Sequence, residues 1–230
     1  HGITLMPPGY THPARVAERI ATLDLVSRGR VDWGTGESSA RLELEGFGVD
    51  PLRKREAWEE AVRETAKMMA ANPYPGHQGQ FFSMPHRTIV PKPVQQPHPP
   101  VMLGGSGKGI LRIAAREADH VNIISDAGRA GTILMTEVAK VTEDAFKAKI
   151  DFVRTEANAA GRNPDAITFS STIFLPMITD STEKGDEFAA GMGGAFGLTP
   201  AQVKRMPMTL IGTPDECVAE LKRREREWGT

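Results

Sequence analysis

Three stretches of the sequence carry residue types that can do chemistry. The first is GTGESS at 34–39, where two glycines, a threonine, a glutamate and two serines crowd together behind a short apolar run. Glycine and serine are ordinary turn residues, so the composition alone describes either punctuation or a site. The face of the fold on which the turn lies decides between the two. The second is GGSG, Gly104 to Gly107, which joins an apolar run to a helix start. Backbone N–H groups and the positive end of a helix dipole at such a junction suit a phosphate; glycines permit close approach, and the Ser106 hydroxyl adds a donor. The competing reading is a tight turn. The third is His12, beside Pro13 at a helix start, where an imidazole either caps and packs the helix or serves as an acid or base.

Bulk properties narrow what these residues could serve. With 28 basic and 29 acidic residues and a net charge of −1, the chain lacks the basic footprint that nucleic-acid binding requires. Its 230 residues, 40% of them hydrophobic, suffice for one domain with a sizeable core. The single cysteine, Cys217, has no partner for an internal disulfide, and no apolar run reaches the ~18 residues of a membrane span. A cytoplasmic protein is expected.

The elements that must position these residues alternate between short β-like runs and longer helical ones, the pattern of βαβ units around a parallel sheet. GITLM at 2–6 reads as a strand. PARVAERIATLDLVSRG reads as a helix, with Pro13 in its first turn, Gly29 past its end, and Val16, Ile20 and Leu23 on its apolar face. RVDWG at 30–34 is a second strand, and a long helix from Asp50 carries Trp58, Val62 and Met69 on one side. A proline-rich connection follows, with a small hairpin at 80–84. VMLGG at 101–105 and HVNII at 120–124 are strands that flank a helix carrying Ile110, Ile113 and Ala114 inward. A Lys- and Glu-rich helix is expected over 136–160, then one strand, ITFSSTIFLPMI. TPAQ at Thr199 and TPDE at Thr213 have the form of capping boxes.

This order fits an α/β barrel or an open doubly wound sheet, and in both, ligands gather outside the carboxyl ends of the strands. The rule puts 34–49 and 104–107 on the active face. It puts the proline-rich connection on the opposite face, which sets His77, His86 and His98 aside. The Gly- and Met-rich segment from Pro176 to Leu198 has the placement and composition of a lid. Asp24 and Arg30 are expected to pair across the Ser-Arg-Gly turn, and Cys217 is expected to be an inert buried thiol.

HPARVAERIATLDLVSRGRVDWGTGES, ELEGFGVDPLRKREAWEEA and PKPVQQPHPPVMLGGSGKG resemble the bacterial luciferase-like flavin-dependent oxidoreductases. The resemblance runs from about Gly2 to Asp119, and FGLTPAQVKRMPMTLIGTPDECVAEL extends it near the end. It implies a single TIM-type (β/α) barrel over 1–230, incomplete relative to family members. They carry two strand-helix units ahead of GITLM and a last strand after the helix ending at Trp228. It further implies reduced FMN as cofactor, dioxygen, a small organic substrate to be oxidised by monooxygenation, a separate flavin reductase, and a homodimer through the early helices.

GTGESS and ELEGFGVD look most like the FMN-dependent monooxygenases. GGSGKGILRIAAREAD and FGLTPAQV resemble relatives that use an 8-hydroxy-5-deazaflavin coenzyme and move hydride. In this family setting Gly34, Thr35 and Gly36 let a flat ring pack against backbone, and Gly104, Gly105, Ser106 and Gly107 hold the phosphate. Glu37 is the candidate proton donor of the deazaflavin relatives and His12 a second catalytic candidate, with Glu43 orienting the loop. A truncated, non-catalytic flavin-binding protein is the third reading.

Overall fold

The computed structural model describes residues 2–5, 10–38, 41–124, 128–129, 132–133, 137 and 140–230. These fall into two compact units, 1–103 with 117–119, and 104–116 with 120–230.

The first unit is built on parallel strands. β1 (Gly2–Leu5) pairs with β2 (Trp33–Gly36), with Ile3 opposite Gly34 and Leu5 opposite Gly36. On its other edge β2 pairs with the start of β5 (Val101–Gly105), Trp33 opposite Val101 and Thr35 opposite Leu103. Parallel neighbours need crossovers. The first is α1 (Pro13–Ser27), started by His12 and Pro13 and stopped by Arg28 and Gly29, both in the left-handed region. The second contains α2 (Arg41–Gly46) and α3 (Lys54–Ala70).

The core side of β2 follows from strand alternation. Trp33 and Thr35 are buried, and the Trp58 indole N–H of α3 donates to Thr35 Oγ1 at 3.1 Å. Trp58, Val62 and Met69 are buried as the periodicity requires. The buried face of α1 is Val16, Ala17, Ile20, Ala21 and Asp24; Leu23, expected inside, is 55% exposed. Asp50 and Pro51 form a turn ahead of α3 rather than its first residues: Asp50 Oδ1 accepts the Leu52 N–H, and the helix begins at Lys54.

The connection from Ala71 to Pro100 contains the hairpin of β3 (His77–Gln78) and β4 (Ser83–Met84) and otherwise few backbone pairs. Side chains fasten it instead. Asp24 is fully buried and accepts the Gln95 backbone N–H at 2.9 Å and the Gln95 amide at 2.8 Å. The expected Asp24–Arg30 pair is therefore replaced: Asp24 serves the connection, while Arg30 Nε donates to the Ser27 carbonyl. Sequence spacing brought the two residues near one turn, but a buried carboxylate takes the donors that reach it inside. At the far end of α3, Lys92 Nζ donates to the carbonyls of Met68 and Ala71.

In the second unit, α4 (Lys108–Glu117) precedes β6 (His120–Ile123), which pairs in parallel with β9 (Thr168–Ser171). The strands β7 (Gly128–Arg129) and β8 (Thr132–Ile133) make a short antiparallel pair after β6; residues 125–127 and 130–131 lie outside the described ones. The helix expected from Thr136, itself outside the described residues, is α5 (Glu143–Ala159), capped by Thr142.

The expected single strand ITFSSTIFLPMI is two. After β9 the N–H groups of Phe174 and Leu175 both donate to the Met208 carbonyl, and the chain enters β10 (Leu175–Ile178), parallel to β11 (Thr209–Gly212). The segment expected to be a lid is instead β10 and α6 (Thr182–Gly194), capped by Ser181. Two of its glycines serve packing: a Cβ on Gly193 would lie 2.3 Å from the Leu198 carbonyl oxygen, and one on Gly185 would lie 3.2 Å from Gly212 Cα, whereas one on Gly191, Gly194 or Gly197 would meet nothing within 4 Å among the described residues. Close approach accounts for Gly185 and Gly193 alone. Both capping boxes form, at the starts of α7 (Pro200–Arg205) and α8 (Pro214–Trp228).

Removing the Asp24 carboxylate strands its donors, so Asp24→Ala should lower stability by about 2 kcal/mol in denaturant unfolding. Burial works against the Asp24 charge, but the Gln95 backbone and side-chain hydrogen bonds outweigh it and hold the carboxyl below its ordinary 3.8. This stability is therefore present above pH 3.8 and lost as pH falls through the lower folded value. Asp24→Asn should flatten that acid limb; an unchanged limb would assign it to other carboxylates.

Candidate functional site

The Leu5–Gly36 register sets the carboxyl ends of β1 and β2 level, and Glu37 follows β2 at this edge; residues 6–9, between β1 and His12, lie outside the described ones. Among the described residues Gly36 is the open point of this edge, since a Cβ there would meet none of them within 4 Å. Gly34 and Gly36 alternate with Trp33 and Thr35 and so lie on the strand face opposite α3. Thr35 belongs to the packed face, and its hydroxyl accepts from Trp58, which removes its side chain from the expected cofactor set.

Glu37 is held by two cations from the start of α3. Arg55 grips it with Nε and Nη2 at 3.1 and 2.9 Å, and Lys54 Nζ lies 3.6 Å away. The bond to Glu37 raises the Arg55 pKa further. Glu37, read as a candidate proton donor, is a staple between β2 and α3. Its neighbour Ser38 has a left-handed φ of 60°, which for a non-glycine residue needs outside support. That support comes from Lys54, which donates to the Ser38 carbonyl, and from Glu43, which accepts the Ser38 hydroxyl at 3.0 Å. Glu43 thus reaches the loop through the Ser38 hydroxyl rather than through backbone N–H groups. Ser39 lies outside the described residues.

His12 caps α1 with its ring: Nδ1 accepts the Ala14 N–H at 3.2 Å. In the neutral imidazole this bond leaves the proton on Nε2. Phe82 meets the ring edge-on, with centroids 5.5 Å apart. Sequence reasoning placed Phe82, with the whole proline-rich connection, on the opposite face; the hairpin returns to the edge that His12 occupies. A helix-to-strand link is assigned a face by topology, and only long-range contacts reveal an excursion of this kind. His77 comes with the hairpin, 4.8 Å from Phe82 between centroids. His86 is exposed on the same hairpin, and His98 stays near its end of the connection, with Nδ1 2.9 Å from the Pro99 carbonyl.

In the second unit, GGSG forms the turn into α4. The first helical bond runs from the Leu111 N–H to the Gly107 carbonyl, so the N–H groups of Lys108, Gly109 and Ile110 face out of the helix end. The glycines differ in purpose. A Cβ on Gly105 would lie 2.3 Å from Ile110 Cγ2, one on Gly104 would touch Ile124 at 3.4 Å, and one on Gly107 would meet nothing within 4 Å among the described residues. Gly105 is required by packing, whereas Gly107 leaves the approach to the amides open. That open, amide-lined turn fits a phosphate group. The exposed Lys108 has its Nζ 5.9 Å from the Phe152 ring centre.

A further polar set was missed. On β6 and β9 the side of the sheet away from Val121, Ile123 and Phe169 carries His120, with Nδ1 2.9 Å from Thr168 Oγ1 and Nε2 2.6 Å from Ser170 Oγ. One step along, Asn122 and Thr172 bond each other at 3.3 Å. The polar-apolar alternation of HVNI was the available signal. Cys217 is buried, and burial pushes its thiol up, consistent with an inert group. Among the described residues no group of three or more His, Cys, Asp and Glu could hold a metal ion, and no helix is long and apolar enough to cross a membrane.

A family model described as luciferase-like monooxygenase matches residues 2–126. The FMNH2-dependent dimethylsulfone monooxygenase of Pseudomonas putida is 27% identical over 162 residues, covering 69% of this chain and 40% of the relative. The chain spans between 33% and 59% of the length of the curated relatives it matches. Two solved structures share its fold with TM-scores of 0.68. One is the oxygenating constituent of 3,6-diketocamphane monooxygenase from Pseudomonas putida in complex with FMN, 16% identical, covering 96% of this chain and 68% of that one. The other is an F420-dependent secondary alcohol dehydrogenase in complex with an F420-acetone adduct, 18% identical, covering 93% and 66%. The fold is therefore the luciferase-like TIM-type barrel, in part.

The contrast between the two glycines of the turn is measurable. Gly105→Ala forces Ile110 to move and should destabilise the chain by about 1–3 kcal/mol. Gly107→Ala should change stability by less than about 0.5 kcal/mol. Thermal unfolding of both variants checks the difference, and equal losses would mean that the open space at Gly107 is filled in solution.

Proposed function

We propose, from the premise that the chain belongs to the luciferase-like monooxygenase family, that it is part of an FMN-dependent monooxygenase that oxidises a small organic substrate. The observation that carries the reading is the turn into α4, with three outward N–H groups, and with Gly107 open to their approach. These amides and the helix dipole would hold the FMN phosphate. When bound, reduced FMN supplies the electrons that activate dioxygen. The printed descriptions of an FMNH2-dependent relative and of an oxygenating constituent in complex with FMN support this cofactor, and support a separate reductase as the source of reduced flavin.

The chain's own residues supply positioning and shape. In the first unit Gly34 is buried, and the half-buried Gly36 at the strand end is the point at which an apolar, planar group would lie close to backbone. The Glu37–Arg55–Lys54 staple keeps the neighbouring loop in place. His12 holds a proton at Nε2, fixed there by the bond that Nδ1 accepts from Ala14, and offers it as a hydrogen-bond donor toward a substrate oxygen. The hydride-transfer alternative needs Glu37 as acid. Two cations within 3.6 Å of that carboxylate favour the monooxygenase reading. The apolar residues Leu23, Leu25 and Val26, exposed on α1, suit the early-helix homodimer that the resemblance implies, and a cytoplasmic location suits the lone buried thiol.

The phosphate reading predicts that FMN binds tighter than riboflavin by about ten- to a hundred-fold, the worth of charge-assisted hydrogen bonds. Gly107→Asp puts a negative charge at the open point and should abolish most of this preference with riboflavin affinity unchanged. Fluorescence titration of both flavins measures it. Equal affinity of the wild-type chain for FMN and riboflavin would remove the phosphate site from this turn.

A further inference from the structure

We propose that the β3–β4 hairpin is part of the site, and that Phe82 and Glu60 are positioning residues that fix the His12 imidazole. The proposal rests on the reading that His12 belongs to the site. Its basis is a chain of contacts that starts on α3 and ends on the His12 ring.

The link from α3 to β5 has no topological need for a hairpin. Helix-to-strand connections in α/β units usually take about 2–6 residues, and this one, from Ala71 to Pro100, is several times longer. Instead of crossing directly, it climbs the outer side of the helix that it has just left. Lys92 holds its return limb at the Met68 and Ala71 end of α3. The hairpin tip reaches the opposite end, where the Arg53 guanidinium lies 4.5 Å above the Phe81 ring. At 1.5 Å per residue these two points of α3 are roughly 25 Å apart.

Glu60 is the anchor of the climb. Its Oε2 accepts the Gln80 N–H at 3.0 Å, its Oε1 accepts the N–H groups of Phe81 and Phe82 at 3.3 Å, and His77 Nε2 lies 3.1 Å from Oε1. Three successive backbone donors converging on one carboxylate fix the backbone of the tip. Burial opposes the Glu60 charge, but the bonds from His77 and the three amides leave its carboxyl below the ordinary value. A second carboxylate, Glu64, lies 3.7 Å from His77 Nδ1 and accepts the Tyr74 hydroxyl, so the base of the hairpin is tied to the same helix.

The fixed tip delivers one side chain. The Phe82 ring lies between two imidazoles, His77 at 4.8 Å and His12 at 5.5 Å, the latter edge-on at 80°. The cap bond to Ala14 fixes where His12 Nδ1 sits, and leaves the ring a swing about that point. The Phe82 ring, set nearly perpendicular to the imidazole at 5.5 Å, restricts the swing and so gives Nε2 one direction. A hairpin that only covered α3 would have no use for a ring at this place.

The test uses this chain and nuclear magnetic resonance, reading the His12 ring signals and the exchange rate of the Ala14 amide, with His12→Gln to assign the ring. Phe82→Leu keeps the Glu60 anchor and should shift the His12 ring signals and speed Ala14 exchange about five-fold, the loss expected for one ordinary hydrogen bond. Phe82→Tyr should restore both. Glu60→Gln should do the same as Phe82→Leu and also alter the Gln80, Phe81 and Phe82 amides. Unchanged His12 signals and Ala14 exchange in Phe82→Leu would overturn the proposal, whatever becomes of Glu60→Gln. The underlying reading has its own arm: His12→Gln with wild-type FMN affinity and a wild-type rate of reduced-FMN oxidation would remove His12, and the hairpin with it, from the site, even where Phe82 does steer the ring.

Discussion

A long connection with few backbone pairs must still find partners for its buried N–H and C=O groups, and the first unit is organised around that requirement. The stretch between α3 and β5 has only the two-residue strands β3 and β4, so ionisable side chains of the neighbouring helices supply what a sheet would. Asp24 of α1 takes the Gln95 N–H, Glu60 of α3 takes three amides, and Lys92 of the connection itself caps two carbonyls at the end of α3. Burial pulls Lys92 below an ordinary lysine. Each of these charges is expensive to bury alone and stable only because its hydrogen bonds are met. The same bonds determine where Gln95 and Phe82 go.

The second unit solves its packing differently. α6 packs so closely that a Cβ on Gly193 would strike the Leu198 carbonyl oxygen and one on Gly185 would crowd Gly212 of β11. Around this, the fully engaged Arg224 of α8 donates to the carbonyls of Met206, Pro207 and Thr209 and to Glu220. Glu143 at the start of α5 gathers Lys147, Arg223 and the Trp228 indole. Burial opposes its charge, and these partners hold its carboxyl at about 2. Charged side chains thus act as connectors between helix ends and turns, while the glycines set the spacing. Both devices are compatible with a chain that has one cysteine and no disulfide to lock it.

What the sequence determined by itself is what depends on near neighbours. The Pro13 start of α1 and the Thr199 and Thr213 capping boxes rest on bonds within four residues, and Gly29 closes α1 on Asp24, five back. The strands VMLGG and HVNII bond distant strands, but their local apolar pattern marked them, the second ending at Ile123. The family was also legible, because HPARVAERIATLDLVSRGRVDWGTGES is a long local string.

The tertiary structure decided everything that required a partner far along the chain. Arg55, eighteen positions on, turned Glu37 from a candidate acid into a staple. Trp58 took the Thr35 hydroxyl, Gln95 took Asp24 from Arg30, and the Met208 carbonyl divided one expected strand into two. Of the glycines read as a lid, Gly185 and Gly193 proved to be contact points, because composition records the absence of a side chain and not what fills its place. The route of the hairpin back to His12 had no local signal at all. A carboxylate on α3 and three amides of a later loop find each other only once the helix has folded against its strand, and that meeting, not any motif, puts Phe82 beside the imidazole.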